Sequence, residues 1–68
     1  MNEETLNMSL RKFLKKVGVT AQHAIEEAVR EAHSRGSLKG GEKLPAKARI
    51  TLGGTTLDLV IEGDIEVG

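Results

Sequence analysis

The chain has 68 residues, ten Lys/Arg against ten Asp/Glu, no Cys and a single aromatic side chain, Phe13. That length holds one small domain and excludes a multi-domain enzyme, the lack of Cys excludes a disulfide scaffold, and no apolar run reaches the ~18 residues of a membrane helix. The charges balance within each half of the chain as well, so nucleic acid and membrane are disfavoured as partners: no net field draws the protein to either.

Residues 3–17 read as an amphipathic helix. Leu6, Leu10, Phe13, Leu14 and Val17 recur at helical spacing within about 100° of arc. Asn2 is the expected N-cap, Glu3 and Glu4 suit the positive end of the helix dipole, and Lys15 and Lys16 suit the other end. Gly18 reads as the stop, in the left-handed position that often closes a helix. A second helix is expected over 21–35, with Thr20 as N-cap and an apolar face of Ala21, Ala24, Ile25, Ala28, Val29 and Ala32. Four of those six are alanine, which allows close approach but buries little area. Gly36 ends this helix. With only Gly18-Val19-Thr20 between them, the two should form a helix hairpin or corner.

Residues 36–45 hold three glycines and a proline and read as a flexible loop. From 46 to 62 the apolar period changes from 3.6 to 2. Taking Gly53-Gly54 as a two-residue hairpin turn sets Ile50 opposite Leu57, Arg49 opposite Asp58 and Ala48 opposite Leu59. One face of the hairpin then carries Ala48, Ile50, Leu52, Leu57, Leu59 and Ile61, and the other carries Lys47, Arg49, Thr51, Thr56, Asp58 and Val60. The tail 63–68 keeps the alternation past Gly63, a candidate bulge or bend, and has room for a short extra strand at 64–67.

Few residues are placed for chemistry. The stretch Leu14 to Ile25 has the flavour of a DNA-binding helix-turn-helix, with Arg11, Lys12, Lys15 and Lys16 as phosphate contacts and Gln22 and His23 offered to bases. Against it, Leu14 is too large, Ala24 too small and Glu27 too polar for the places such a motif packs. The glycines of 36–43 resemble a phosphate loop only faintly, because Glu42 stands where the lysine belongs and no strand precedes it. His23 and Glu27 could share a metal, but with His33 ten residues from His23 and no Cys they do not complete a ligand set. Ser9, Ser34 and Ser37 have no base nearby in sequence, so catalysis has no constellation. Glu62, Asp64 and Glu66 on one strand face suit charges that discourage edge pairing better than a cation site. No cofactor, metal or catalytic residue is expected.

Taken together, Leu10-Arg11-Lys12-Phe13-Leu14-Lys15-Lys16-Val17-Gly18-Val19-Thr20, Ile25-Glu26-Glu27-Ala28-Val29-Arg30, Leu44-Pro45-Ala46 and Glu62-Gly63-Asp64-Ile65 resemble a family of short, stand-alone, functionally uncharacterised bacterial proteins. The resemblance runs over nearly the whole chain, as expected of a complete protein, and implies no site residues. The expected fold is α+β: one domain over 1–68, a helix hairpin packed on a C-terminal antiparallel β-hairpin in the order ααββ. Six of the hydrophobic residues are alanine, so a lone copy has a marginal core and a homodimer is expected. It would form through the alanine-rich helix faces or through the 55–67 strand edge, with Leu57, Leu59, Ile61, Ile65 and Val67 as the self-association residues. The expected role is a non-catalytic protein-protein interaction or self-associating module. The alternative is a weak nucleic-acid binder using the basic helix face and the corner. An acidic start, Met1-Asn2-Glu3-Glu4, with no apolar segment after it points to the cytoplasm.

Overall fold

A computed structural model describes residues 1–68, with one helix, α1 (Glu3–Ser34), followed by two strands, β1 (Lys43–Thr51) and β2 (Asp58–Glu66). The class is α+β. The chain divides into two compact units, Met1–Ser37 and Leu38–Gly68, and each is taken by itself.

The first unit corrects the expected helix hairpin. Residues 3–17 and 21–35 do not form two helices; a single helix of 32 residues runs through Gly18, which does not adopt a positive φ. The energetics favour continuity. A glycine inside a helix costs about 1 kcal/mol relative to alanine. Stopping there and restarting would require a second nucleation, with a statistical weight of about 10⁻³ or roughly 4 kcal/mol, and would leave two more sets of helix-end groups without intrahelical partners. The apolar pattern is also continuous. Leu6, Leu10, Leu14, Val17, Ala21, Ile25, Ala28 and Ala32 follow one another in steps of four, four and three, a period of about 3.67 that keeps both expected faces on one side of a single helix.

Both ends are capped by local chemistry. The N–H groups of Glu4 and Thr5 donate to Asn2 Oδ1 at 3.0 and 3.1 Å, with Glu3 and Glu4 in the first turn. At the other end Gly36 takes φ 79°, its N–H donates to the His33 carbonyl, and the Ser37 N–H donates to the Ala32 carbonyl. This is the paired closure of a Schellman motif, which a left-handed glycine permits.

In the second unit β1 and β2 pair antiparallel. Thr51 stands opposite Asp58, Ile50 opposite Leu59, Ala48 opposite Ile61, Ala46 opposite Gly63 and Lys43 opposite Glu66. The register is two residues from the expected one, and Gly53-Gly54 is not a two-residue hairpin turn. Such a turn needs a positive φ at its first central residue, whereas only Gly54 has one, at 80°, the pattern of a type II turn. The Thr55 hydroxyl then donates to the Leu52 carbonyl at 2.7 Å and accepts from the Leu57 N–H at 3.2 Å, which holds residues 52–57 as a wider loop. A shift of two preserves every face, because side chains alternate with period 2.

The strands are longer than expected. Lys43, Leu44 and Pro45 leave the expected loop and begin β1, and residues 64–66 end β2 instead of forming an extra strand. Gly63 pairs within the ladder and makes no bulge. One helix is a single layer and so is a two-stranded sheet, so neither unit has a second layer of its own to cover an apolar face. No residue of the chain is buried.

Candidate functional site

Two apolar surfaces stand out. On α1 the stripe contains Leu6, Leu10, Phe13 and Leu14 toward the N-terminus, with Phe13 and Leu14 each 52% exposed. Past Gly18 it passes to Ala21, Ala24, Ile25, Ala28 and Ala32. Large side chains therefore occupy one half and small ones the other.

On the hairpin the apolar face joins Leu44, Ala46, Ala48 and Ile50 of β1 to Leu59, Ile61 and Ile65 of β2. Of the expected self-association residues, Leu59, Ile61 and Ile65 share this face. Leu57 lies in the loop before β2, and Val67 follows the strand, where its N–H donates to the Glu42 carbonyl. Leu59 and Ile61 are 46% and 50% exposed.

The opposite face of the hairpin is charged and internally paired. Arg49 Nε and Nη2 donate to the two carboxylate oxygens of Asp58 at 2.8 and 2.7 Å, a bidentate clasp across a diagonal of the ladder. Its hydrogen bonds hold the Asp58 carboxyl below the usual carboxylate range and raise Arg49. Lys47 meets Glu62 at 3.9 Å and Lys43 meets Glu66 at 3.8 Å, both directly across the strands. These last two pairs, invisible to the expected register, occupy the carboxylates of Glu62 and Glu66, while Asp64 stands opposite Pro45. A shallow open depression lies where Ala46 and Gly63 pair, flanked by Pro45, Lys47, Glu62 and Asp64. It is a dent left by small side chains.

The basic and polar residues offered to nucleic acid do not form a helix-turn-helix. Arg11, Lys12, Lys15, Lys16, Gln22 and His23 all lie within α1, and there is no corner to present Gln22 and His23 at the start of a recognition helix. His23 Nε2 instead meets Glu27 Oε1 one turn on at 3.1 Å. No group of three or more metal-ligating side chains occurs, and no helix is long and apolar enough to cross a membrane. In the glycine-rich loop the N–H groups of Lys39 and Gly40 donate to Glu42 Oε2 and Oε1 at 2.9 and 2.8 Å. The carboxylate of Glu42 thus sits where a phosphate loop would hold its anion, and the loop closes on its own chain.

Residues 1–68 match the sequence model of DUF6494, a family of unknown function, and the chain belongs to that family. No curated protein and no solved structure matches it.

Proposed function

We propose that this protein is a cytoplasmic, non-catalytic module that works by association and associates first with itself, as a homodimer. One observation carries the reading: most of the large apolar residues are sorted onto one face of α1 and one face of the hairpin, yet neither unit buries a residue of its own. Sorting of this kind arises where a face is to be covered, and contiguous exposed apolar surface marks an interaction site. The charged groups support a non-catalytic role, since Arg49, Asp58, Lys47, Glu62, Lys43 and Glu66 pair with one another in the open. The test is sedimentation of the full chain from micromolar to millimolar concentration, with helicity followed alongside. A mass of twice 7.3 kDa or more is expected. A fully helical species of 7.3 kDa throughout would overturn the reading.

A second reading, binding of duplex nucleic acid along α1, is favoured by one feature: Arg11, Lys12, Lys15 and Lys16 lie within two turns, and none of them takes part in an ion pair. Salt-dependent duplex binding that is lost on Lys12→Glu/Lys15→Glu would support it. No binding at low salt would remove it.

A further inference from the structure

We infer that α1 pairs with the α1 of a second copy, antiparallel, in the register that sets Val19 level with the partner's Val19. This rests on the reading that the chain self-associates and adds orientation and register to it.

The first support is the sequence of side-chain sizes. Reversing the helix about Val19 sets Leu10 level with the partner's Ala28, Leu14 with the partner's Ala24 and Val17 with the partner's Ala21. The relation continues outward to Leu6 and Ala32, and Phe13 falls level with Ile25. The apolar stripe therefore maps onto itself under reversal, with a large residue meeting an alanine in most layers. A large side chain against a methyl fills the layer and lets the axes come close, whereas a parallel pair would crowd leucine on leucine at one end and leave alanine on alanine at the other.

The second support is charge. The segment 11–16 carries four cations and no anion, and none of the four takes part in an ion pair. In the antiparallel register it runs level with the partner's segment 22–27, which holds Glu26 and Glu27, each already meeting a side chain one turn away on its own helix, Arg30 at 3.2 Å and His23 at 3.1 Å, and Arg35, which meets Glu31 at 3.7 Å, comes level with the partner's Glu3. A parallel pair would lay the four cations beside their own copies. By helical periodicity Arg11, Lys12, Lys15, Lys16, Glu26 and Glu27 lie on the flanks and outer side of α1, away from the stripe, so they bias the orientation at long range and form no contact across the pair.

The third support is size. A helix of 32 residues is about 48 Å long and about 10 Å across. Two facing stripes of that size cover roughly 1,000 Å², about the smallest area of a specific interface. A two-fold pair uses the same patch on both copies, so assembly through it stops at the dimer.

The test uses the full chain, which has no cysteine of its own. Leu10→Cys and Ala28→Cys variants are prepared separately, mixed and oxidised. The expected product is the disulfide between position 10 of one copy and position 28 of the other, with little cross-linking in either variant alone. Disulfides joining 10 to 10 or 28 to 28 would overturn the inference in favour of a parallel pair. An unmodified chain that sediments as a dimer, with variants that cross-link in no combination, would place association on another surface and leave only the self-association reading standing. An unmodified chain that sediments as a monomer would overturn both. A size swap gives an independent check. Leu10→Ala and Ala28→Leu should each weaken the dimer, the first by at least about tenfold, and Leu10→Ala/Ala28→Leu should bring the dissociation constant back to within about threefold of the original. Failure of the double variant to recover would also overturn the antiparallel register.

Discussion

Replacing Gly18 with alanine tests the continuity of α1 by the sign of its effect. Gly18 lies within the helix without a positive φ, and a Cβ placed on it would meet nothing within 4 Å. Alanine is favoured over glycine in a helix interior by about 0.8–1.0 kcal/mol. With no contact to offset that term, Gly18→Ala should stabilise the helix by about 1 kcal/mol, or about fivefold in its equilibrium constant. A chain that turned at Gly18 would respond the other way. Its glycine would hold a left-handed conformation, and a Cβ there costs about 1–2 kcal/mol. The two geometries thus differ by some 2 kcal/mol or more, beyond ordinary error in a denaturation midpoint. The measurement is far-ultraviolet circular dichroism of the full chain against temperature and urea, at one fixed concentration for both proteins. A lower midpoint or reduced helicity in Gly18→Ala would refute the continuous helix. Gly18 is not among the residues that form layers in the proposed pair, so association does not confound the comparison.

Three further predictions concern the second unit. Gly54→Ala should destabilise the hairpin by about 1 kcal/mol, because φ is 80° there, while Gly53→Ala should be close to neutral; equal losses in urea denaturation would restore the tight turn that needs positive φ at both. Asp58 should titrate lower in the wild type than in Arg49→Gln when followed by carboxyl NMR, because Arg49 favours its charged form. A depressed carboxylate contributes stability above its unfolded pKa, near ~3.9, and that contribution is lost as pH falls through the lower folded value, so identical titrations in the two proteins would contradict the clasp. Glu42→Ala removes the acceptor of two backbone N–H groups, and hydrogen exchange at Lys39 and Gly40 should accelerate; unchanged exchange would mean that the carboxylate does not hold the loop.

The parts of the fold legible in the sequence are those fixed by neighbouring residues. Asn2 caps the helix because its side chain reaches N–H groups two and three residues away, and Gly36 closes it through its own φ. The change of period from 3.6 to 2 marks the hairpin, and alternation sorts its faces whatever the register. Gly18 was ambiguous for a physical reason: the same residue is the best left-handed stop and a modest cost within a helix. The signal that decides it is longer in range, the four-four-three spacing that stays in phase from Leu6 to Ala32. The register is ambiguous for a similar reason. Arg49 reaches Asp58 whether it stands opposite or diagonal, so that pair could not choose between the two alignments. Lys43 with Glu66 and Lys47 with Glu62 choose at once, but they appear only when β1 is extended into the glycine-rich segment. Of the candidate site, the shared face of Leu59, Ile61 and Ile65 was readable from alternation, whereas the single stripe along α1 was hidden by the expected break.

The two surfaces are not equal as places for a second copy. In a two-stranded sheet both strands are edges, and their backbone groups are open to another chain. Here those edges carry the features that resist such pairing. Pro45 removes one N–H from β1, and Lys43, Lys47, Glu62 and Glu66 stand along the ladder with charges already matched within the hairpin. A second strand added to either edge would bring its own charges against a row in which only Asp64, opposite Pro45, lacks an ion-pair partner. The helix stripe carries no such guard. Its large and small halves are complementary to each other but not to themselves. A surface of that kind is completed by its own reverse. In the proposed dimer association therefore rests on α1, and substitutions that add charge to the stripe, such as Leu14→Lys, should abolish dimerisation by sedimentation while the corresponding change on the hairpin face, Ile61→Lys, should leave it intact. Loss of the dimer in Ile61→Lys alone would move the interface to the hairpin.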